Sequence, residues 1–323
     1  MIDYKIKQQP EDFMVRESLT RILKDHGEYV IFIMKKRNYN TESAVQRIAD
    51  ALRIPRKNIG YAGSKDNRAV SEQSISIKGV SKERGESLSL KDISLKFLGF
   101  SDEPITLGDH MGNEFEITVR NIEQKPKPVG CIVNYFGEQR FSTNNAEIGK
   151  TMLNKDFKRA AELMIKHPGR EEERMREYLE KHRADYVGAL RTIPWKNLTL
   201  YIHSYQSMLW NETARRHLAE PRADAATKIP IVGFATEIND LTIKNIVDAI
   251  LKEEGITLQD FVIRAIPDLT SSGSERELYA EVKDIIIGEL EDDELNPGKK
   301  KVLLKFGLGK GSYATEVIKA MFS

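Results

Sequence analysis

One cysteine in 323 residues, Cys131, removes two chemistries at once. An internal disulfide needs a pair, a zinc thiolate cluster needs more, and a reducing cytoplasm is the compartment expected. No run approaches the roughly 18 apolar residues of a membrane span. The stretch from Met1 to Phe13 alternates apolar and polar like a strand and lacks the apolar centre of a signal peptide, so neither insertion nor export is expected. The six histidines show no metal-ligand spacing, and no metal is expected. Nucleotide motifs are also missing: no Gly-x-Gly-x-x-Gly follows an early strand, and no Gly-x-Ser-x-Gly elbow occurs. The glycine-rich Gly307 to Ser312 suggests a phosphate cradle, but Gly311 separates Lys310 from Ser312 where a P-loop needs them adjacent. A tight turn with Ser312 as helix N-cap explains it better.

Charge of one sign is not in excess either, since 50 basic and 49 acidic residues leave a net charge of +1. Local runs can still be basic: Lys35-Lys36-Arg37, Arg56-Lys57, Lys158-Arg159 and Lys299-Lys300-Lys301 could each touch phosphate. A solvated charged face is the commoner meaning of such a run. The length suits two domains, or one domain with a large insertion.

Periodicity divides the chain into three. Up to about residue 120 strands dominate, at Tyr29–Met34, Ile59–Gly63, Ser74–Ile77, Ile93–Phe97 and Phe115–Val119, with a helix capped at Asn40-Thr41 that stops before Pro55. The strand at Ile59 leaves into a polar turn, Ser64 to Arg68. From about Asn145 to His217 helical spacing takes over, as in Phe157, Ala160, Ala161 and Met164 before the break at His167-Pro168-Gly169. Leu198, Tyr201, Ile202, Tyr205 and Leu209 form the stripe of one long helix. Beside it His203, Gln206, Ser207 and Asn211 share a face that is a contact surface or simply wet. A further helix spans about Thr242–Lys252, with Gly255 as its stop. The last residues return to strand (Val302–Phe306), glycine turn and helix. The pattern alone supports α+β with a helical insertion.

The turn Gly63-Ser64-Lys65-Asp66-Asn67-Arg68-Ala69 resembles the Gly-x-Lys-Asp-x-x-Ala signature of the TruD family of pseudouridine synthases. Taken alone, Lys-Asp in such a turn is most often only a turn. Five other blocks in the same order strengthen the match. Asn134-Tyr135-Phe136-Gly137-Glu138-Gln139-Arg140-Phe141 is similar to a second signature, and Pro10-Glu11-Asp12-Phe13-x-Val15-x-Glu17 to an N-terminal one. Leu107-Gly108 with Gly112-Asn113-x-Phe115, Ser204-Tyr205-Gln206-Ser207-x-x-Trp210-Asn211, and Lys310 to Thr315 complete the set. Val133, Ser142, Gly309 and Glu275 depart from the pattern, which bears on loop geometry and tRNA contacts.

The resemblance implies a pseudouridine-synthase core with a mainly antiparallel sheet at 1–142 and 277–323, and an inserted helix-rich α/β TruD domain at 143–276. It implies an isomerase that converts uridine to pseudouridine in tRNA, at position 13 of the D-arm, with Asp66 as nucleophile and no cofactor. Phe136 would pack on a flipped-out base, Asn134 would orient the nucleotide, and Phe13 and Tyr313 would line the pocket. On sequence alone each aromatic would more often be an ordinary core residue. An adjacent cation favours an ionised carboxylate, and Lys7, Lys65 and Arg140 are the candidates. Attack at ribose C1′ or base C6 is left open. Lys158, Arg159, Arg174, Arg176 and Lys181 are candidates for lining an RNA cleft. The alternatives are a tRNA-binding protein or RNA chaperone with weak or no catalysis, and a nucleoside hydrolase that would release free uracil.

Overall fold

The computed structural model describes residues 3–19, 21–166, 169–220 and 228–323, with backbone alone at 142 and 143. The chain divides into two compact units, Met1–Ile132 with Ala280–Ser323, and Val133–Tyr279. The sequence reading set the boundaries at 142/143 and 276/277. Asn134 and Phe136 go with the second unit because the Asn134 N–H bonds the Leu278 carbonyl at 2.8 Å and the Phe136 ring packs on Trp210.

In the first unit, runs rich in β-branched and aromatic residues form β1 (Phe13–Leu19), β2 (Tyr29–Arg37), β3 (Ile59–Tyr61), β4 (Val70–Lys78), β5 (Ile93–Ser101), β6 (His110–Ile122) and β7 (Cys131–Val133). The second unit contributes β8 (Lys228–Ile231) and β9 (Ser274–Glu277), and the chain returns through β10 (Tyr279–Ile287), β11 (Glu291–Asp292) and β12 (Lys300–Gly309). The main sheet has the order β5-β2-β4-β1-β6-β12-β10-β7, with β3 on β4 and β11 on β12. β1 and β4 run parallel, while β1–β6, β6–β12, β10–β12, β2–β4 and β2–β5 are antiparallel. This is the α+β class that the sequence predicts.

Helix α1 (Thr41–Leu52) starts where the Asn40 side chain accepts the Ser43 N–H at 2.7 Å, and ends at Arg53, whose φ is 51°. Its apolar face, with Ala44, Val45, Ile48 and Leu52, packs in one cluster with Val30, Phe32, Ile75 and Ile77 of the sheet. Burial of the Ile48 side chain alone contributes about 1.5–3 kcal/mol. Helix α2 (Lys82–Glu86) is one short turn. Residues 3–12 do not form the strand that the alternation suggests. Lys5 makes one bridge to Arg120, Lys7 has φ 57°, and Pro10–Asp12 is a 3-10 turn, so pairing begins only at Phe13; Met1 and Ile2 lie outside the described residues.

Two charge arrangements mark this sheet. Lys35 on β2, Glu72 on β4, Arg16 on β1, Glu116 on β6 and Lys305 on β12 form a ladder of alternating sign, with contacts of 3.1, 3.4, 2.6 and 3.2 Å. Inside, Arg120 is 4% exposed and bridges Asp12 and Asp293, each at 2.9 Å. Burial works against ionising Asp293, but hydrogen bonds from the Asn121 and Leu295 backbone and from Asn296 and Arg120 hold it down at about 2.

The second unit holds α3 (Asn145–Leu153), α4 (Phe157–Ile165), α5 (Arg170–Lys181), α6 (Tyr186–Arg191), α7 (Trp195–Leu218) and α8 (Leu241–Glu254) around one apolar core, with β8 and β9 paired. The expected break at His167-Pro168 lies outside the described residues. α8 is capped by Asp240 and is stopped, as the sequence predicts, by Gly255 at φ 69°. Gly149 of α3 has no room for a Cβ, which would sit 2.1 Å from the Tyr201 carbonyl oxygen of α7. Only glycine lets these two helices approach so closely. The last helix, α9 (Ala314–Met321), belongs to the first unit; its N-cap is Tyr313, not Ser312, because β12 runs to Gly309 and Gly311 makes the turn at φ 81°.

Candidate active site

Asp66 sits half-buried on the turn between β3 and β4, and the turn is tied down on several sides. The Lys65 N–H donates to the Thr41 hydroxyl at 2.9 Å, that hydroxyl donates to Gln73 at 2.9 Å, and Gln73 donates back to the Gly63 carbonyl at 2.9 Å. Thr41 is the first residue of α1, so the helix start and the turn share one anchor. Beneath the turn the fully buried Lys36 Nζ donates to the Asp66 carbonyl at 3.0 Å and the Tyr39 carbonyl at 2.5 Å. Burial pushes this ammonium down to about 8, against the pull of the Asp66 carboxylate and with the help of the neighbouring Lys65 charge.

Of the three candidate cations, Lys7 is the one that meets the carboxylate, with Nζ 2.5 Å from Asp66 Oδ2. The same Nζ lies 4.1 Å from the centre of the Phe13 ring, and Phe13 in turn packs edge-on against Phe115. Lys7 holds this place with a left-handed backbone, which costs on the order of 1 kcal/mol for a residue with a side chain. Lys65 turns away instead: its ammonium pairs with Glu17 at 2.5 Å, and both side chains are buried. Arg68 donates to the Gln8 carbonyl at 3.0 Å and so ties the turn to the segment that carries Lys7.

In the second unit, the loop after β7 is shaped by one face of α7. Asn211 accepts from the Phe136 N–H and donates to the Phe136 carbonyl, both at 2.9 Å, while Ser204 donates to the Arg140 carbonyl at 2.9 Å. Ser204 and Asn211 are seven residues apart, two helical turns, and therefore lie on the same side of α7. The Phe136 ring has the Arg276 guanidinium 4.1 Å from its centre and the Trp210 ring edge-on at 5.6 Å. Asn134, expected to orient a nucleotide, is 7% exposed: Arg276 donates to its side-chain oxygen at 2.6 Å and to its carbonyl at 2.9 Å, and its amide donates to the Glu277 carbonyl at 3.2 Å. Its amide thus positions Arg276 beneath Phe136. Tyr313, half-buried, opens α9 in the first unit.

Lys36 and Arg276 are the residues that sequence reasoning missed as site components. Lys36 stood in a run read as a solvated charged face that could touch phosphate, yet it follows Phe32 and Met34 at period two and points inward with them. The other basic runs are largely paired. Lys35, Arg37, Arg56, Lys299, Lys300 and Lys301 each meet a carboxylate, as do Lys158 and Arg159, while Arg176 donates to the Ile165 carbonyl. Among the described residues no group of three or more histidine, cysteine, aspartate or glutamate side chains could hold a metal, and no helix is long and apolar enough to cross a membrane.

Compared with known proteins, the chain falls among the pseudouridine synthases, isomerases that act on RNA. Within that class it belongs to the tRNA pseudouridine synthase D (TruD) family, whose sequence model matches residues 1–177 and 212–321. The whole block from Ser204 to Asn211 falls in the unmatched stretch. A Methanosarcina mazei relative assigned as tRNA pseudouridine synthase D is 30% identical, over 98% of this chain and 92% of its own. A Nanoarchaeum equitans relative of the same assignment is 30% identical, over 98% of both chains, and the Aquifex aeolicus tRNA pseudouridine synthase D is 28% identical, over 99% of this chain and 98% of its own. The crystal structure of a Methanosarcina mazei protein described under the same family name superimposes with a TM-score of 0.74 at 29% identity, covering 99% of this chain and 94% of that one.

Proposed function

We propose that the protein isomerises uridine to pseudouridine at position 13 of the tRNA D-arm, with Asp66 as the nucleophile. The observation that carries this reading is the Asp66 carboxylate held by Lys7 at 2.5 Å on a turn fixed by Thr41, Gln73 and Lys36. A carboxylate fixed in this way is suited to covalent attack. In the reaction the C1′–N1 bond breaks, the uracil turns, and C1′ joins C5. The hydrogen at C5 leaves for solvent and N1 gains one, so atoms balance without an oxidant or reductant. Asp66 attacks at C1′ or at C6, and either route ends with its carboxylate regenerated.

The first compact unit is then the catalytic domain and the second the inserted domain, with the sequence boundaries of 142/143 and 276/277 moved to 132/133 and 279/280. Phe136, backed by Arg276, provides a face on which a flipped base stacks, an interaction worth about 1–3 kcal/mol. Asn134 acts through Arg276, while Phe13 supports Lys7 and Tyr313 opens α9 in the same unit as the catalytic turn. A protein that acts on tRNA in this way is expected in the cytoplasm.

tRNA transcripts carrying tritium at uracil C5 test the proposal, since joining C5 to the ribose releases that label. Wild type should release it and Asp66→Ala should lose at least about 10³-fold in rate while still binding tRNA. Equal release by both would remove Asp66 from the nucleophile's role, and release of free uracil would indicate hydrolysis. Mapping the product to a position other than 13 would correct the site alone.

A further inference from the structure

The second unit contains an open pocket of about 360 Å³ beside Phe136, bordered by Arg140, His203, Ser207, Ser272 and Ser274. No carboxylate lines it. Two other pockets, of about 300 and 200 Å³ in the first unit, are lined by Glu114, Glu116 and Asp284 and by Glu17, Glu72 and Glu114. In a chain whose acids and bases nearly balance, a pocket with a cation and no acid stands out.

The cation is also unspent. Arg140 Nε is buried and has no hydrogen-bond partner among the described residues, and no ion pair of its guanidinium is found there. A buried donor left without a partner costs about 1–3 kcal/mol, so such a group marks a place where a ligand supplies the acceptor. Its backbone is fixed, because Ser204 and Asn145 both donate to the Arg140 carbonyl, at 2.9 and 3.4 Å. The opposite wall is fixed as well. Gln206 donates to Ser271 at 2.8 Å and to the Val232 carbonyl at 2.6 Å, and Gly273 turns the loop at φ 89°, where a Cβ would meet Thr236. Hydroxyls, a guanidinium fork and the absence of acids are the chemistry of a phosphate site.

We propose that this pocket binds a backbone phosphate of the tRNA, through Arg140 and the serine hydroxyls of the 271–274 loop, next to the base face of Phe136. The proposal rests on the reading of the protein as a tRNA-modifying enzyme and adds the group by which the substrate strand is held. The volume exceeds that of a phosphate and leaves room for the attached ribose. The basic runs visible in the sequence are largely paired with carboxylates, whereas the Arg140 guanidinium, with no ion pair among the described residues, remains available for this contact.

The full chain, bound to a tRNA transcript over a range of potassium chloride concentrations, provides the test. One lost phosphate contact lowers the slope of log Kd against log salt by close to one. Arg140→Gln should show that change with about tenfold weaker binding, and Arg140→Lys should restore part of it. Ser272→Asp, at an exposed position, should weaken binding in the same direction by placing a negative charge in the pocket, and it decides the matter should Arg140→Gln fail to fold. Unchanged slope and affinity in folded Arg140→Gln and Ser272→Asp would overturn the site. Tritium release is measured in the same preparations. Wild type that releases label while both variants keep the wild-type slope sinks the phosphate site alone. Wild type that releases none, with the slope lost in the variants, upholds the site and sinks the isomerase.

Discussion

Around Asp66 charged side chains meet carboxylates and carbonyls: Lys7 pairs with Asp66, Lys65 with Glu17, and Lys36 lies buried beneath the turn. Around Phe136 the contacts are of another kind. Arg276 lies against an aromatic ring and an asparagine amide, and Asn211 holds the Phe136 backbone from both sides. The difference matches the two tasks. A nucleophile must be a charge held in one place, which other charges accomplish at short range. A stacking face must stay apolar on the side offered to a base, so its support comes from behind, through a flat guanidinium and neutral hydrogen bonds.

Removing the central charge of the first region should break the comparison most severely. Arg120→Met leaves Asp12 and Asp293 buried without their partner, and a loss of about 3–5 kcal/mol is expected in urea unfolding. A loss under 1 kcal/mol would mean that buried ion pairs do not organise this unit. Next comes Lys36. Its folded value near 8 lies below the ordinary 10.5, so between those limits the unfolded chain binds more protons than the folded one. Stability is therefore penalised at neutral pH, and the penalty is relieved as pH rises from about 8 to 10.5, by on the order of 3 kcal/mol. Wild type should gain on Lys36→Met over that window; parallel curves would show that the ammonium is not desolvated. The smallest effect belongs to the region around Phe136. Phe136→Leu should lower the rate of tritium release by about 10- to 100-fold, while tRNA affinity changes little. An equal loss in affinity and rate would make Phe136 a binding contact rather than a support for the flipped base.

The strands and the long helix of this fold were legible because period-two and period-3.6 spacing survives wherever one face is buried, as in Phe115, Ile117 and Val119 or in Leu198, Ile202, Tyr205 and Leu209. Lys36 was legible in the same terms, at the next inward position after Phe32 and Met34, but its charge drew attention to solvent. The N-terminal alternation misled because a left-handed Lys7 and a proline turn interrupt it, and nothing in the spacing reveals a positive φ at lysine. The partner of Asp66 could not be chosen by proximity in sequence. Lys65 is adjacent yet turns to Glu17, while Lys7, 59 positions away, closes the pair. For the same reason the link between Phe136 and Asn211, 75 positions apart, shows only in three dimensions.

The ladder of Lys35, Glu72, Arg16, Glu116 and Lys305 crosses five neighbouring strands, each about 4.8 Å from the next. Charges alternating at that spacing cancel one another within a short distance of the surface. A polyanion approaching this part of the sheet feels little pull, and high salt has little left there to screen. The ladder makes one side of the first unit electrically quiet, and leaves the attraction of RNA to the places where a positive charge has no such neighbour.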